Sequence, residues 1–340
     1  MKKLVLLLWV VVFPYKAFTQ TAVDQLLQAG VENAQRFSQD YFKPSGEAVI
    51  NAMSNGWYTS AKVKKLFHFE IGLVGNGSFV REEKKSFSLN EGEYEGLTFR
   101  DPNPTGDDLE PREVASIFGA NNPEVVMVVN EGQLGQAEIT LPNGLGENGI
   151  GFVPTTFLQG SIGLPKSTEL KVRFLPKFEV SENTEIQLYG VGVQHEFSDW
   201  YFPMKRWPVK ISGILAYTNL KGSYDFTEDS SIPGSNQIIQ LKSSSWLLSG
   251  IVSTKLPVLN FYGGLGLYSG SSNTSLLGTY DVQSGPVSGV TLTDPVSVDH
   301  KETGVKVTLG SRVKLGFFRF NLDYTLQNYQ TLSLGMNFGW

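Results

Sequence analysis

Between residues 168 and 180 ionisable side chains recur at alternate positions. Glu169, Lys171, Arg173, Lys177 and Glu179 interleave with Leu170, Val172, Phe174, Phe178 and Val180. A period of two sends the two sets to opposite faces of a strand. Other segments repeat the pattern with Glu70, Lys210, Lys242, Lys306, Arg312, Lys314, Arg319 and Asp323. If these rows share one interior, nine cations face four anions there: Lys171, Arg173, Lys177, Lys210, Lys242, Lys306, Arg312, Lys314 and Arg319 against Glu70, Glu169, Glu179 and Asp323. A basic interior of this kind is a path or site for anionic ligands, carboxylates included. The structural alternative is that the charges pair across neighbouring strands and with acids of the amino-terminal segment.

Other constellations are weaker. The chain has three histidines, His68, His195 and His300, with no serine placed by spacing to act as a nucleophile beside them, so no enzyme activity is expected. Asp101, Asn103, Thr105 and Gly106 open like a calcium loop, but Arg112 stands where a bidentate Glu is needed, and no metal site is expected. Gly263-Gly264-Leu265-Gly266 alternates as a closely packed strand and has no following helix to receive a phosphate. No cofactor is implied.

The elements that carry these rows are strands. The last nine residues alternate cleanly, with Leu332, Leu334, Met336, Phe338 and Trp340 on one face and Ser333, Gly335, Asn337 and Gly339 on the other. An apolar row running to an aromatic terminus suits a closed barrel in lipid, where the last strand pairs with the first. Similar segments begin near residue 66 and recur at about 150–164, 168–180, 184–196, 208–220, 238–254, 259–270, 302–315, 318–326 and 329–340. The fold class is therefore all-β, an antiparallel transmembrane β-barrel of ten strands. Twelve or fourteen are the alternatives if residues 81 to 149 hide hairpins, for which 85–89 and 124–129 are suited. Pro176 falls on an apolar row and marks a bulge or a lost ladder hydrogen bond. The connections at 81–149, 221–237 and 271–301 are long and fall at one end. Those at 165–167, 255–258 and 316–317 are short and fall at the other. The exception, 197–207, is aromatic-rich. Trp200 and Trp207, with Phe338 and Trp340, are the expected membrane-interface anchors.

Composition and the amino-terminal region agree with export. Lys2 and Lys3, an apolar run from Leu4 to Phe13 and a cleavage position near Gln20 make residues 1–19 a signal peptide. Its removal leaves 25 basic and 33 acidic residues, a poor balance for nucleic acid. With no Cys, thiolate sites and a lipoprotein anchor are excluded. Residues 20–65 read as helical: Thr21 and Asp24 resemble a capping box, a helix is expected from about 22 to 40, Pro44-Ser45-Gly46 breaks it, and a second short helix spans 47–54. This segment is either a cap outside the barrel of residues 66–340 or a plug inside it. Residues 81–149 carry fourteen acids and five bases, an acidic outer surface that divalent ions could bridge to lipopolysaccharide.

The runs from Gly163 to Lys177 and from Asn51 to Tyr58 resemble a family of Bacteroidetes outer-membrane proteins of unknown function, over nearly the whole mature chain. More distantly the chain is similar to the long-chain fatty-acid transporter family, whose barrels hold an amino-terminal helical hatch. The resemblance implies the outer membrane of a Gram-negative bacterium, lipid and lipopolysaccharide as surroundings, and the barrel-assembly machinery as a partner of the carboxyl-terminal strand. The function expected is passive, channel-like uptake of a small hydrophobic or amphipathic solute, with Glu70, Lys171, Arg173, Lys177, Lys306, Arg312 and Arg319 along the lumen. The alternative is a structural or interaction barrel acting through acidic outer loops. A solute path requires an apolar cleft between helix and wall, and a structural barrel requires a lumen filled by paired side chains.

Overall fold

Ten segments of alternating polarity become ten antiparallel strands, because each can satisfy its backbone only by pairing and can hide its polar row only by facing the others. The computed structural model describes residues 27, 30–100, 111–120, 126–130, 136–142, 144–149, 151–198, 200, 207–228, 230, 232–283 and 288–339. The strands are β1 (Phe69–Phe79), β2 (Phe152–Leu164), β3 (Thr168–Ser181), β4 (Thr184–Glu196), β5 (Val209–Asp225), β6 (Gly234–Thr254), β7 (Leu259–Val282), β8 (Val296–Leu315), β9 (Phe318–Leu326) and β10 (Thr331–Gly339). Each pairs with the next, and β10 returns to β1 with Ile71 opposite Phe338, closing the ring.

The polarity of this ring is inverted relative to a water-soluble core. On β10 Leu334 is 57% exposed while its neighbour Ser333 is 0% exposed. Phe320 and Leu322 on β9 and Leu265 and Leu309 on β7 and β8 likewise face outward, and Asp323, Thr325 and Lys306 face inward, buried. Apolar outside and polar inside is the signature of a wall solvated by lipid. About ten tilted residues suffice to cross the hydrocarbon, whereas β6, β7 and β8 run for 21, 24 and 20 residues. Their surplus stands beyond the lipid. There the outer face turns hydroxyl-rich, with Ser244 and Ser271 at 3.2 Å and Ser269 and Thr303 at 2.8 Å. Tyr217 and Trp246, 4.8 Å apart, mark the boundary.

Much of the sequence expected as loop, 221–237 and 271–301, is therefore strand. Ser, Thr and Asn fill both faces there, so hydrophobic period gave no signal. Residues 81–149 do not enlarge the ring. Ser86–Leu89 pairs with Arg112–Ala115, and Leu97–Phe99, Val126–Asn130 and Gln136–Thr140 form a second small sheet. Both lie over one mouth, where Leu89, Val114, Phe118 and Ile139 pack on Phe37 and Tyr41. We call that mouth the loop end and the other, with the connections at 165–167, 255–258 and 316–317, the turn end.

The expected helix break at Pro44 does not occur. A single helix, α1 (Val31–Met53), runs through it. Proline removes only its own hydrogen bond and crowds one carbonyl, Ser45 Oγ donates to Phe42 O at 2.7 Å, and contact with β1, β2, β6, β7 and β8 holds the rod from several sides. Its amino end meets the loop end, where Asn33 Nδ2 donates to Glu95 O at 2.8 Å. Residues 54–68 continue to the turn end and enter β1. The chain thus threads the whole lumen before building its wall. The capping box at Thr21 and Asp24, the signal peptide, the calcium-like run from Asp101 to Gly106 and Trp340 lie outside the described residues.

This threading is directly measurable because the chain has no Cys. With the short turns on the periplasmic side, Gly30→Cys will react with an impermeant maleimide on intact cells. Lys62→Cys will react only after the outer membrane is opened.

Candidate functional site

Helix geometry leaves the last four carbonyls of α1 without intrahelical donors, and its last turn contains no basic residue. Ser54 and Asn55 answer Ile50, Asn51 and Ala52 locally, with Ser54 Oγ and Asn55 Nδ2 each donating to Asn51 O at 2.8 Å, and the barrel wall supplies further donors. Asn76 Nδ2 on β1 donates to Ala52 O at 3.1 Å. Arg173 on β3 donates through Nη1 to Met53 O at 2.9 Å and through Nη2 to Asn55 O at 2.6 Å, while its Nε donates to Gln159 at 2.8 Å. Lys306 Nζ on β8 donates to Ser54 O at 2.8 Å and also meets the Asn55 side-chain oxygen. Gln327, just past β9, reaches Asn51 O at 3.4 Å. In a ring of ten, β3 and β8 are diametrically opposed. Two cations from facing walls thus meet on the negative end of one helix dipole. Arg173 also lies between Trp57 and Phe157, 3.8 and 4.1 Å from their ring centres.

Directly below, Gly56 turns the chain at φ +72°. A Cβ there would stand 2.7 Å from Val74 Cγ1, so only glycine allows the turn against the wall. Gly264 leaves room for the Tyr58 hydroxyl, which would lie 2.2 Å from an added Cβ. Residues 59–65 are then stapled to the turn end. Arg312 Nη1 donates to Thr59 Oγ1 at 3.2 Å, Val63 N–H to Glu196 at 3.1 Å and Lys64 N–H to Glu169 at 2.9 Å. The Lys64 ammonium pairs with Glu169 at 2.9 Å and Glu70 at 3.5 Å. Lys171 pairs with Glu169 at 2.7 Å and Arg319 with Glu70 at 2.9 Å.

Of the expected lumenal row, Glu70, Lys171, Arg173, Lys306, Arg312 and Arg319 are gathered around the threaded segment. Lys177 is not. The β3–β4 register shifts between Leu175 and Phe178, and Lys177 swings out to a 62% exposed side chain paired with Glu185 at 2.7 Å. Pro176 marks the bulge. Lys242 and Lys314 also lie on exposed positions. On β6 it is Leu247 that turns inward beneath Trp57 and Tyr58, which sends Lys242 to the outer face. Sequence reasoning missed Glu196, Gln159, Asn76 and Lys64, because their roles depend on a segment distant in sequence. Phe338, Trp200 and Trp207, expected as interface anchors, are exposed, at 48%, 71% and 47%. His195 Nδ1 is 2.9 Å from Thr168 Oγ1, whereas His300 sits toward the loop end beside Gln39.

Toward the loop end the packing loosens on one side of α1. A recess of about 210 Å³ is bounded by Phe42 and Val49 of the helix, Phe118 and Leu145 of the covering loop, and wall residues of β2, β4, β5, β6 and β7 that include Phe152, Ile186, Leu220 and Leu241. Across the helix, Glu47 accepts from Lys84 and from the Tyr329 hydroxyl, at 2.9 and 2.8 Å. Burial, and next the charge of Glu47, raises the Tyr329 pKa far above that of an ordinary phenol and keeps it a donor. The half of the lumen at the turn end is packed with paired polar groups, and the other half holds an apolar hollow.

The sequence profile of DUF6588, described as a family of unknown function, matches residues 1–340. The chain belongs to this family. No curated protein matches the DUF6588 chain. Among solved structures it is similar to Ail, the attachment invasion locus protein of Yersinia pestis, at 10% identity over 51% of this chain and 93% of Ail, with a TM-score of 0.26. The outer membrane protease OmpT of Escherichia coli matches at 7% identity over 84% of this chain and 100% of OmpT, with a TM-score of 0.33. The translocator domain of the autotransporter NalP of Neisseria meningitidis matches at 10% identity over 86% and 92%, with a TM-score of 0.27. These neighbours are outer-membrane β-barrels. What makes the DUF6588 chain a barrel is its own closed ring of pairing.

The helix clamp has a measurable energy. Arg173→Met and Lys306→Met each strand buried carbonyls and will lower stability by about 3 kcal/mol, read by urea unfolding in lipid vesicles. Lys177→Met, on the exposed bulge, will leave it nearly unchanged.

Proposed function

We propose that this protein is an integral outer-membrane barrel for the passive uptake of small hydrophobic or amphipathic solutes, with residues 30–68 closing the lumen to an open aqueous path. One observation carries the reading: the apolar recess between α1 and the wall, about 210 Å³ in volume. A dry cavity of about 150 Å³ accommodates benzene, so this one suits a ligand of one or two rings or a short alkyl chain. The turn end supports the closed-lumen part. The cations there are engaged by the threaded segment and by the carboxylates beside it, and we assign Lys171, Arg173, Lys306, Arg312 and Arg319 to holding the segment in place, not to lining an anion path.

The lipid-facing rows and interfacial aromatic residues support an outer-membrane location with the turn end in the periplasm. In that orientation the acidic residues of the loop end face lipopolysaccharide, and the β10 strand is the element the assembly machinery would engage. A second reading, a structural barrel, is favoured by the dense pairing around Glu169 and Glu70. The recess separates the two, since a barrel that only holds its shape gains nothing from an unfilled apolar hollow.

Refolded mature protein will be silent in single-channel recordings, and a version lacking residues 20–65 will show discrete conductance steps. In nanodiscs the full protein will bind naphthalene, measured as a rise in fluorescence anisotropy over empty discs, and Val49→Trp, which fills the recess, will abolish the rise. Silence of the truncated barrel would count against the plug, and binding unaffected by Val49→Trp would count against the recess.

A further inference from the structure

Register partners in an antiparallel sheet share a face, so the outer face of β4 to β8 divides into rows. Val193, Leu215, Leu248, Leu267 and Val305 stand opposite one another across these strands, all apolar and all exposed. That row faces lipid. Toward the loop end the continuous apolar run of the outer face ends at Tyr217 on β5, at Trp246 on β6 and at Val305 on β8. Each of these strands then places an exposed lysine four positions further on, Lys221, Lys242 and Lys301. Four residues advance about 13 Å along a strand, and a tilt of about 40° reduces this to about 10 Å along the membrane normal. The three side chains therefore leave the wall at one height above the lipid boundary, and their flexible stems can bend back to the headgroups.

This placement has an electrostatic cost. Lys221 and Lys242 are direct register partners, and in such a pair the Cβ atoms lie about 5 Å apart and like charges repel. The carboxylates on the same face are engaged elsewhere. Glu185 pairs with Lys177 at 2.7 Å and Asp299 accepts from Asn273 at 3.0 Å, and among the described residues no acid pairs with Lys221, Lys242 or Lys301. The chain as a whole has 33 acidic residues against 28 basic ones, so the patch is not a sample of a generally basic surface.

The wall between the lysines offers hydroxyls. Ser244 faces Ser271, with the oxygens 3.2 Å apart, and Ser271 in turn faces Lys301. Below them Tyr217 and Trp246 form an aromatic ledge, their rings 4.8 Å apart. Ammonium groups suit a phosphate, hydroxyls suit the oxygens of a sugar, and interfacial aromatic rings suit the junction of headgroup and acyl chain.

We propose that the outer face of β5 to β8 is a binding site for a phosphorylated glycolipid of the outer leaflet, with Lys221 and Lys242 sharing a phosphate, Lys301 reaching the same headgroup from β8, and the acyl chains lying on the apolar row below. A phosphate between Lys221 and Lys242 turns a repulsive pair into a bridged one. Here the protein supplies the cations itself, in contrast to the acidic segment 81–149, which would need divalent ions. The site requires the outer-membrane location and the orientation argued above and is independent of the solute path.

Native mass spectrometry of the full mature protein, released from nanodiscs containing bis-phosphorylated lipid A, tests the site. The wild type will retain lipid A, and the affinity will fall at least about tenfold when Lys221→Gln, Lys242→Gln and Lys301→Gln are combined. An equal change of charge at the turn end, Lys62→Gln with Lys65→Gln and Lys314→Gln, will leave retention unchanged. Lipid A stripped of its phosphates will bind the wild type as weakly as intact lipid A binds the triple variant. Stability supplies a second readout: Lys242→Gln will not lower the urea midpoint in phosphatidylcholine alone, where it removes a repulsion, and will lower it once lipid A is present. Equal retention by the wild type and the triple lysine variant, or undiminished retention of the stripped lipid, overturns the site alone. Reversed maleimide labelling of Gly30→Cys and Lys62→Cys on intact cells would put these lysines in the periplasm and overturn the site together with the orientation.

Discussion

The capping of α1 by its surroundings is the constraint on which the rest depends. A helix end inside a barrel has no water to satisfy its final carbonyls, and each orphan costs on the order of 1–3 kcal/mol. Here Asn76, Arg173, Lys306 and Gln327 answer Ala52, Met53, Ser54, Asn55 and Asn51 from four places around the ring. Because Arg173 and Lys306 come from opposite walls, the helix cannot shift toward one without losing the other. The same contacts fix the register of helix against barrel, set the turn at Gly56, and so determine where residues 57–65 meet the carboxylates at the turn end. Burying Arg173 and Lys306 is tolerable only because every donor direction finds an oxygen or a ring face.

A division of labour along the axis follows. Toward the turn end the lumen is a network of ion pairs and backbone hydrogen bonds centred on Glu169, Glu70 and Lys64, which resists opening because any movement strands several charges together. Toward the loop end the helix bears Phe37, Tyr41, Phe42 and Val49, and its partners are apolar residues of the wall and of the covering sheets. A hollow among contacts of that kind costs stability in proportion to its volume. The cleft expected of a solute path and the filled lumen expected of a structural barrel are both present, at different depths. That placement makes the recess a dead end toward the turn end along the axis.

The strand pattern was legible where lipid enforces it. On β9 and β10 every outward residue is apolar or aromatic and every inward one is polar or small, so parity and pairing could be read from period alone. Legibility failed where that pressure lifts. Beyond the bilayer both faces of β5 to β8 meet water or polar neighbours, Ser and Thr occupy either face, and strand looks like loop. Pro44 was misleading for the opposite reason: its local penalty is real, and a surrounding wall overrides it. Extending the alternation through Pro176 places Lys177 inward, whereas the bulge there shifts the register and turns it out.

By itself the sequence determined the barrel, the segments of its ten crossings, the outward rows and the helical character of the stretches before and after Pro44, since all of these depend on composition at a fixed short period or on local propensity. Only the tertiary structure decided that the helix threads the lumen from the loop end, that Arg173 of β3 and Lys306 of β8 cap it, and that an apolar recess lies between it and the wall. Each of these is a relation between residues far apart in sequence, as between Arg173 and Met53 or Phe152 and Ile186. Which side chains meet across a closed ring depends on register and curvature, and these leave no period in the chain.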